Sequence, residues 1–286
     1  MITLESRVRP AKLDDHQALS SLLFFEPRAH RHLDWRPPLD WLGSEDFWVQ
    51  KQSGRVVSAL ACPTEPPGVA WIRLFACEGH VPAEAAWSSL WDAARAGLAQ
   101  RGRVTVAAIV AQPWFQHLLT ESLFEQTQSI VLLEWRTRPA LPPAIPPGIH
   151  LRPLRAEDLT VAAQVDADAF VPLWHNTEDT LRRAFAQSAY ATAVESNGHM
   201  LGYQISSGDS ARFHLARLAV RKEAQGGGLG SALVADLIAL VRARGVREIT
   251  VNTQRDNLAS LKLYQRLGFA RTGTELPVFT IELEGD

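Results

Sequence analysis

The sequence predicts a mixed α/β protein that uses one folding plan twice. Three observations carry this expectation. Val8-Arg9-Pro10-Ala11-Lys12-Leu13-Asp14-Asp15 opens the chain, and Leu151-Arg152-Pro153-Leu154-Arg155-Ala156-Glu157-Asp158 repeats its pattern 143 residues later. Further on, Val104-Thr105-Val106 parallels Ile249-Thr250-Val251. Leu119–Phe124 parallels Tyr264–Phe269, with a strand-like run following each, Ser129–Trp135 and Val278–Leu283. Between the halves, five prolines fall within residues 139–148. Such a stretch forms neither a helix interior nor a central strand and suits a spacer. The expected division is therefore 1–138, a linker at 139–147, and 148–286.

Each opening repeat reads as a short strand, a turn and an acidic helix start. In the second half, helices are expected over Asp158–Phe170 and Thr177–Ala186. Tyr190–Glu195 and Met200–Ser206 form a hairpin around Asn197-Gly198, a strong turn signal. Ala211–Val220 alternates as a strand. A glycine cluster then opens a helix whose stripe is Leu229, Leu233, Leu237 and Val241, stopping at Gly245. Ile249–Asn252 is the next strand, and Asp256-Asn257 caps the last helix before Gly268.

With 286 residues, 46% hydrophobic and 21% charged, the chain has the composition of an ordinary globular protein of roughly two domains. Its formal charge is −2, shared evenly between the halves, which argues against nucleic acid as a partner. The start lacks a basic segment followed by an apolar run, and no stretch reaches the roughly 18 apolar residues of a membrane span. Cys62 and Cys77 are too few for a disulfide framework or a zinc site and read as reduced thiols, so a cytoplasmic location is expected. His30, His32 and Asp34 are too weakly patterned to be read as a metal site, and none is expected.

The chemistry is carried by Gln225-Gly226-Gly227-Gly228-Leu229-Gly230-Ser231, between a strand and a helix. Glycines allow backbone N–H groups to converge, and the helix N-terminus adds partial positive charge, which suits a phosphate or pyrophosphate. A P-loop would need a lysine before Ser231, and a dinucleotide fingerprint would need another glycine and a later acid. A coenzyme A pyrophosphate loop and a plain glycine turn remain. The segment Asn257–Phe269 follows, and on a helix Asn257, Ser260, Tyr264 and Leu267 share a face.

Together these two segments resemble the GNAT superfamily of acyl-CoA-dependent N-acyltransferases. The loop pattern Gln/Arg-x-x-Gly-x-Gly/Ala is met by Gln225, Gly228 and Gly230. The later pattern is met by Asn257, Ser260, Tyr264, Leu267, Gly268 and Phe269. The resemblance covers residues 149–286 and, more faintly, 1–138. It implies a twisted mixed sheet in each half, with splayed fourth and fifth strands, here Ala211–Val220 and Ile249–Thr253. It further implies that acetyl-CoA enters the splay. Leu218, Ala219 and Val220 would hold the pantetheine, Gly226, Gly227, Gly228, Leu229, Gly230 and Ser231 the pyrophosphate, and Asn257 and Ser260 the arm. Tyr264 is where the family places a general acid for the departing thiolate.

His214, eleven residues before Gln225, is the candidate base, since it is expected to share strand parity with Leu218 and Val220 and titrates near neutrality. A structural histidine is the competing reading. A strand bulge near Leu218–Val220 would free an N–H for the developing oxyanion. Asn252 cannot be a base, and Glu195 and His175 are weaker candidates. Trp174 and His175, on the loop after the first helix, are expected to contact the acceptor.

The first half lacks these features. Phe75–Ala86 holds one glycine, Pro82, Glu78 and Glu84, and carboxylates would repel a pyrophosphate. It is expected to be a degenerate, non-catalytic GNAT-like domain. Eight of the nine tryptophans lie there, mainly as packing material, with Trp35, Trp41 and Trp48 as a possible part of an acceptor site. The expected function is acetyl transfer from acetyl-CoA to a primary amine of a small molecule or peptide. The alternative is an acyl-CoA-binding regulator without turnover. The duplicated halves imitate a dimer, so a monomer or weak homodimer is expected.

Overall fold

A computed structural model describes residues 6–136 and 147–285. The elements in chain order are β1 (Ser6–Pro10), α1 (His16–Phe25), β2 (Ala29–Arg31), β3 (Phe47–Gln52), β4 (Arg55–Ala61), β5 (Val69–Trp71), β6 (Leu74–Cys77), α2 (Ala83–Ala99), β7 (Val104–Ile109), α3 (Pro113–Glu121) and β8 (Glu125–Arg136). They continue with β9 (His150–Pro153), α4 (Leu159–Ala169), α5 (Glu178–Ala186), β10 (Tyr190–Ser196), β11 (His199–Gly208), β12 (Phe213–Val220), α6 (Leu229–Ala243), β13 (Glu248–Gln254), α7 (Leu258–Arg266) and β14 (Ala270–Leu283). Mixed sheets flanked by helices make two GNAT-like units, as the repeated sequence plan requires.

The compact units are not two continuous halves. One comprises residues 1–127 with 277–286, and the other 128–276. In the first, Val278–Leu283 of β14 runs antiparallel to β7. In the second, Ile130–Arg136 of β8 runs antiparallel to β13. Each unit thus completes its sheet with a strand from the other half of the sequence. This departs from the expected cut at 139–147, of which residues 139–146 lie outside the described ones. Ser129–Trp135 and Val278–Leu283 are both apolar strand-forming segments, so local pattern alone does not say which sheet edge each one joins.

In the first unit, β4 from Val56 onward and all of β6 are buried and pack under α2, whose inward face is Ala86, Trp87, Leu90, Trp91, Ala94 and Leu98. Trp87 stacks on Trp91 at 5.7 Å and donates its Nε1–H to Ser122 Oγ at 2.7 Å. Trp71 is also buried here, while Trp135 is buried in the core of the second unit. Those tryptophans are packing residues, and an indole burying its rings supplies much of a small unit's apolar area.

In the second unit the antiparallel run β9, β10, β11, β12 is followed by β13, parallel to β12. The Asn197-Gly198 turn is left-handed at both residues, φ +49° and +76°, as a tight hairpin requires. Helix α6 lays Leu229, Leu233, Leu237 and Val241 against the sheet. Thr177 caps α5 by accepting from the Thr180 N–H at 3.2 Å. Among the described residues no helix is long and apolar enough to cross a membrane.

Candidate active site

Strands β12 and β13 are paired only at Phe213–Leu215 with Ile249–Val251. β12 then continues to Val220 without that neighbour, so the two strands part. A cleft of about 470 Å³ opens there. Its walls are Leu218, Ala219 and Val220 of β12, the turn Ala224–Gly226, Gly228–Ser231 at the start of α6, and the α7 residues Asn257, Ser260, Leu263 and Arg266.

The glycine loop has the local geometry that oxyanion binding needs. Gly226 and Gly228 have φ of +80° and +83°, and a Cβ on Gly226 would meet nothing within 4 Å. Gly228 is the N-cap of α6, and the first intrahelical bond runs from Ala232 N–H to Gly228 O at 3.0 Å. The N–H groups of Leu229, Gly230 and Ser231 precede that bond, which is where helices bind anions. Gln225 braces the loop by donating its Nε2–H to Val220 O at 3.0 Å. Asn257 caps α7 by accepting from Ser260 N–H at 3.1 Å, which leaves its Nδ2 group as its donor. Gly227 does not line the cleft.

Tyr264 is also absent from the lining. It is 4% exposed, packs against Phe269 with ring centroids 5.4 Å apart, and shares the core with Leu267. The expected common face of α7 is therefore divided: Asn257 and Ser260 reach the cleft, while Tyr264 and Leu267 turn to the core. Burial raises the phenol's pKa, and the charge of Arg217 draws it back down.

His214 pairs with Thr250 across the closed end of the strands, with Nδ1 2.9 Å from Thr250 Oγ1. Burial lowers its pKa and the Thr250 contact opposes that shift. The expected parity with Leu218 and Val220 fails. The register of β12 against β11 steps from Ile205–Arg217 to Ser206–Leu215, so Ala216 is an extra residue. That bulge puts His214 on the face of Arg217 and Ala219, opposite Leu218 and Val220. It also lies earlier than the expected Leu218–Val220.

Glu195 is committed to Arg152, whose Nε–H donates at 2.7 Å. Trp174 and His175 are half-buried on the α4–α5 segment and do not line the cleft. Trp174 donates Nε1–H to Gln128 Oε1 at 2.8 Å.

Sequence reasoning missed a buried ionic network beside this site. Asp166, fully buried on α4, accepts from Arg217 Nε at 2.6 Å and Nη2 at 2.5 Å, and from Tyr203 OH at 2.5 Å. Burial works against the charge of Arg217, and Asp166 with Tyr203 more than restores it, so its pKa sits above the ordinary value. Burial, then the Asp166 carboxylate, push the Tyr203 phenol well up. A charge amid Phe213–Val220, and another on the apolar face of α4, were the available signals. The exposed cations Lys262 and Arg266, also missed, line the cleft one helical turn apart.

At the equivalent place in the first unit the loop is closed to an anion. Pro82, which has no N–H, caps α2, and Glu26 Oε2 accepts from Gly79 N–H at 2.7 Å. His30 approaches Ile72 O at 3.2 Å, His32 packs on Trp71 at 4.9 Å between ring centroids, and Asp34 pairs with Arg73 at 2.6 Å.

Comparison with known proteins matches residues 159–269 to the acetyltransferase (GNAT) family model. The model match does not extend into the first unit. The mycothiol acetyltransferase of Saccharopolyspora erythraea is 31% identical over 146 residues, 46% of this chain and 47% of that protein. That of Actinosynnema mirum is 32% identical over 147 residues, 46% and 48%. The match thus spans about half the length of these relatives.

Among solved structures, a tandem GNAT protein from the clavulanic acid biosynthesis pathway has a TM-score of 0.63 at 18% identity, covering 99% of this chain and 100% of that one. A probable N-acyltransferase from Enterococcus faecalis V583 has a TM-score of 0.70 at 12% identity, covering 99% and 73%. Both are likenesses of fold.

Proposed function

We propose that the GNAT domain transfers an acetyl group from acetyl-CoA to a primary amine of a small molecule or peptide. One observation carries this reading: the parted strands β12 and β13 open onto the left-handed glycine loop at the start of α6. An unpaired strand edge at Leu218–Val220 suits the amide-rich pantetheine arm as an added strand. The amides of Gly228–Ser231 suit the pyrophosphate. Acetyl-CoA supplies the thioester. In the transfer a C–N bond forms and the C–S bond breaks. The amine's proton passes to water or to His214, and the thiolate takes a proton from Tyr264.

The residues fit these roles unequally. Tyr264 is the weaker fit: it is protonated, but burial raises its pKa and so makes it a poorer proton donor, and it lies in the core behind the cleft lining. His214 is neutral more readily than a free histidine, as a base should be, and stands on the face that carries Arg217. The acceptor-side loop is Phe170–Asn176. Acceptors related to mycothiol come first in a substrate panel, because several relatives bear that name.

The test is calorimetric titration of acetyl-CoA into the wild type and Gly228→Glu, followed by turnover with an amine panel. Gly228→Glu places a carboxylate in the loop and strains a left-handed position. Micromolar binding lost in the variant, with turnover of an amine, supports the reading. Binding with no turnover of any amine supports the regulator instead, and absence of binding to the wild type overturns both.

A further inference from the structure

The network of Asp166, Tyr203 and Arg217 touches more than itself. Arg217 Nη2 also donates to the carbonyl of Trp174 at 2.7 Å. Asp166 Oδ1 also accepts the N–H of Asn176 at 2.6 Å. The Arg217 guanidinium lies over the Phe170 ring, 3.7 Å from its centroid, and Phe170 lines the cleft. The segment between α4 and α5 is therefore held at its start, middle and end by one ion pair. Beyond this pair, the segment forms a single 3-10 turn at Pro172–Trp174, Trp174 donates its Nε1–H to Gln128, and Val171 is 60% exposed.

Stability alone does not account for this pair. Replacing a buried ion pair by apolar residues of similar volume is often neutral or stabilising, while removing one partner is not. A planar guanidinium with a fixed fork of donors does what an apolar residue cannot: it fixes a carboxylate and a carbonyl in one geometry.

We infer that Arg217, anchored by Asp166 and Tyr203, is a positioning residue that sets the acceptor-side segment Phe170–Asn176 against the cleft. The acceptor-side label rests on the proposed function, while the clamp itself does not. Arg217 comes directly after the bulged Ala216, and the pairing of β12 with β13 ends just before it, at Leu215.

The test compares the wild type with Arg217→Lys and with the triple variant Asp166→Leu, Tyr203→Phe, Arg217→Met. The triple variant leaves no unpaired charge. Hydrogen exchange over residues 170–176 is expected to quicken by about tenfold or more in the triple variant and less in Arg217→Lys. Acetyl-CoA affinity, read by calorimetry, should move by less than about threefold. With an amine that turns over, KM for the amine should rise by about tenfold while kcat changes less. Unchanged exchange at 170–176 in a folded variant overturns the inference, as does an equal loss in both substrates' constants. If the triple variant fails to fold, Arg217→Lys decides by the same readings. Failure of the wild type to bind acetyl-CoA would sink the proposed function, and the exchange measurement would still decide the clamp.

Discussion

Gly230 and Leu263 approach so closely that a Cβ on Gly230 would lie 2.8 Å from Leu263 Cδ1. The glycine thus fits close packing of α6 against α7 rather than a need of its own backbone angles, and the atom it would meet is the movable end of a side chain. Leu263 and the nearby Leu218 both line the cleft.

Gly230→Ala is expected to be near neutral, because a rotated Leu263 makes room and alanine favours the helix by up to about 1 kcal/mol. Gly230→Val adds branches toward Val220 and Leu218. It should cost about 1–3 kcal/mol by overpacking. It should also weaken acetyl-CoA binding about tenfold by narrowing the cleft. Thermal melts and calorimetry check both, and wild-type affinity in Gly230→Val would contradict the packing argument.

Tyr264→Phe isolates the proposed acid. The ring's contacts with Phe269 and the core survive, so acetyl-CoA affinity is expected to hold. Loss of a general acid should lower kcat by about 10²-fold or more. Because burial holds the phenol above its ordinary pKa, the wild-type rate should show no loss assignable to this group up to about pH 10. Steady-state kinetics from pH 6 to about 10 test this, and a kcat within twofold of wild type would remove Tyr264 from the mechanism.

Local signals made the glycine loop and the α7 cap legible, since Gly226, Gly228 and Asn257 each do one backbone task that few residue types perform. The face of His214 was not legible. The bulge that reverses parity falls on Ala216, an alanine with no compositional mark. The Asp166–Arg217 pair joins residues 51 apart, and only the fold brings them together. The strand exchange between units leaves each strand's own pattern unchanged, so pattern alone assigns it by proximity along the chain.

Acid should destabilise the first unit through its histidines. Burial depresses the His30 pKa from 6.5 to about 4, against the opposing effect of its contact with Ile72 O. Burial also lowers His32 well below the ordinary value. Between pH 6.5 and about 4 the unfolded chain holds more protons than the folded one, so stability rises with pH across that window. The His30 contribution is fully present above about pH 6.5 and is lost by about pH 4, a change of about 3 kcal/mol. His30→Gln should flatten the slope of unfolding free energy against pH in that window, as urea titrations at a series of pH values would show. An unchanged slope would assign the acid sensitivity to other groups.

Lys262 and Arg266 differ in kind from the glycine loop, and salt should separate them. Both are exposed cations on the wall of the cleft, so their attraction for a phosphate acts through water. Lys262→Ala and Arg266→Ala should each weaken acetyl-CoA binding about two- to fivefold at low ionic strength. At about 0.5 M salt the screening length falls well below the roughly 10 Å it has at 0.1 M, and the difference from wild type should nearly vanish. The loss in Gly228→Glu should persist at high salt, because strain at a left-handed residue displaces the directed N–H donors of the loop, which salt does not reverse. Calorimetric titrations at two salt concentrations separate the two effects. If the Lys262→Ala and Arg266→Ala losses persist at high salt, these side chains make direct, desolvated contacts with the ligand. The cation wall would then be part of the binding site proper rather than an attracting rim.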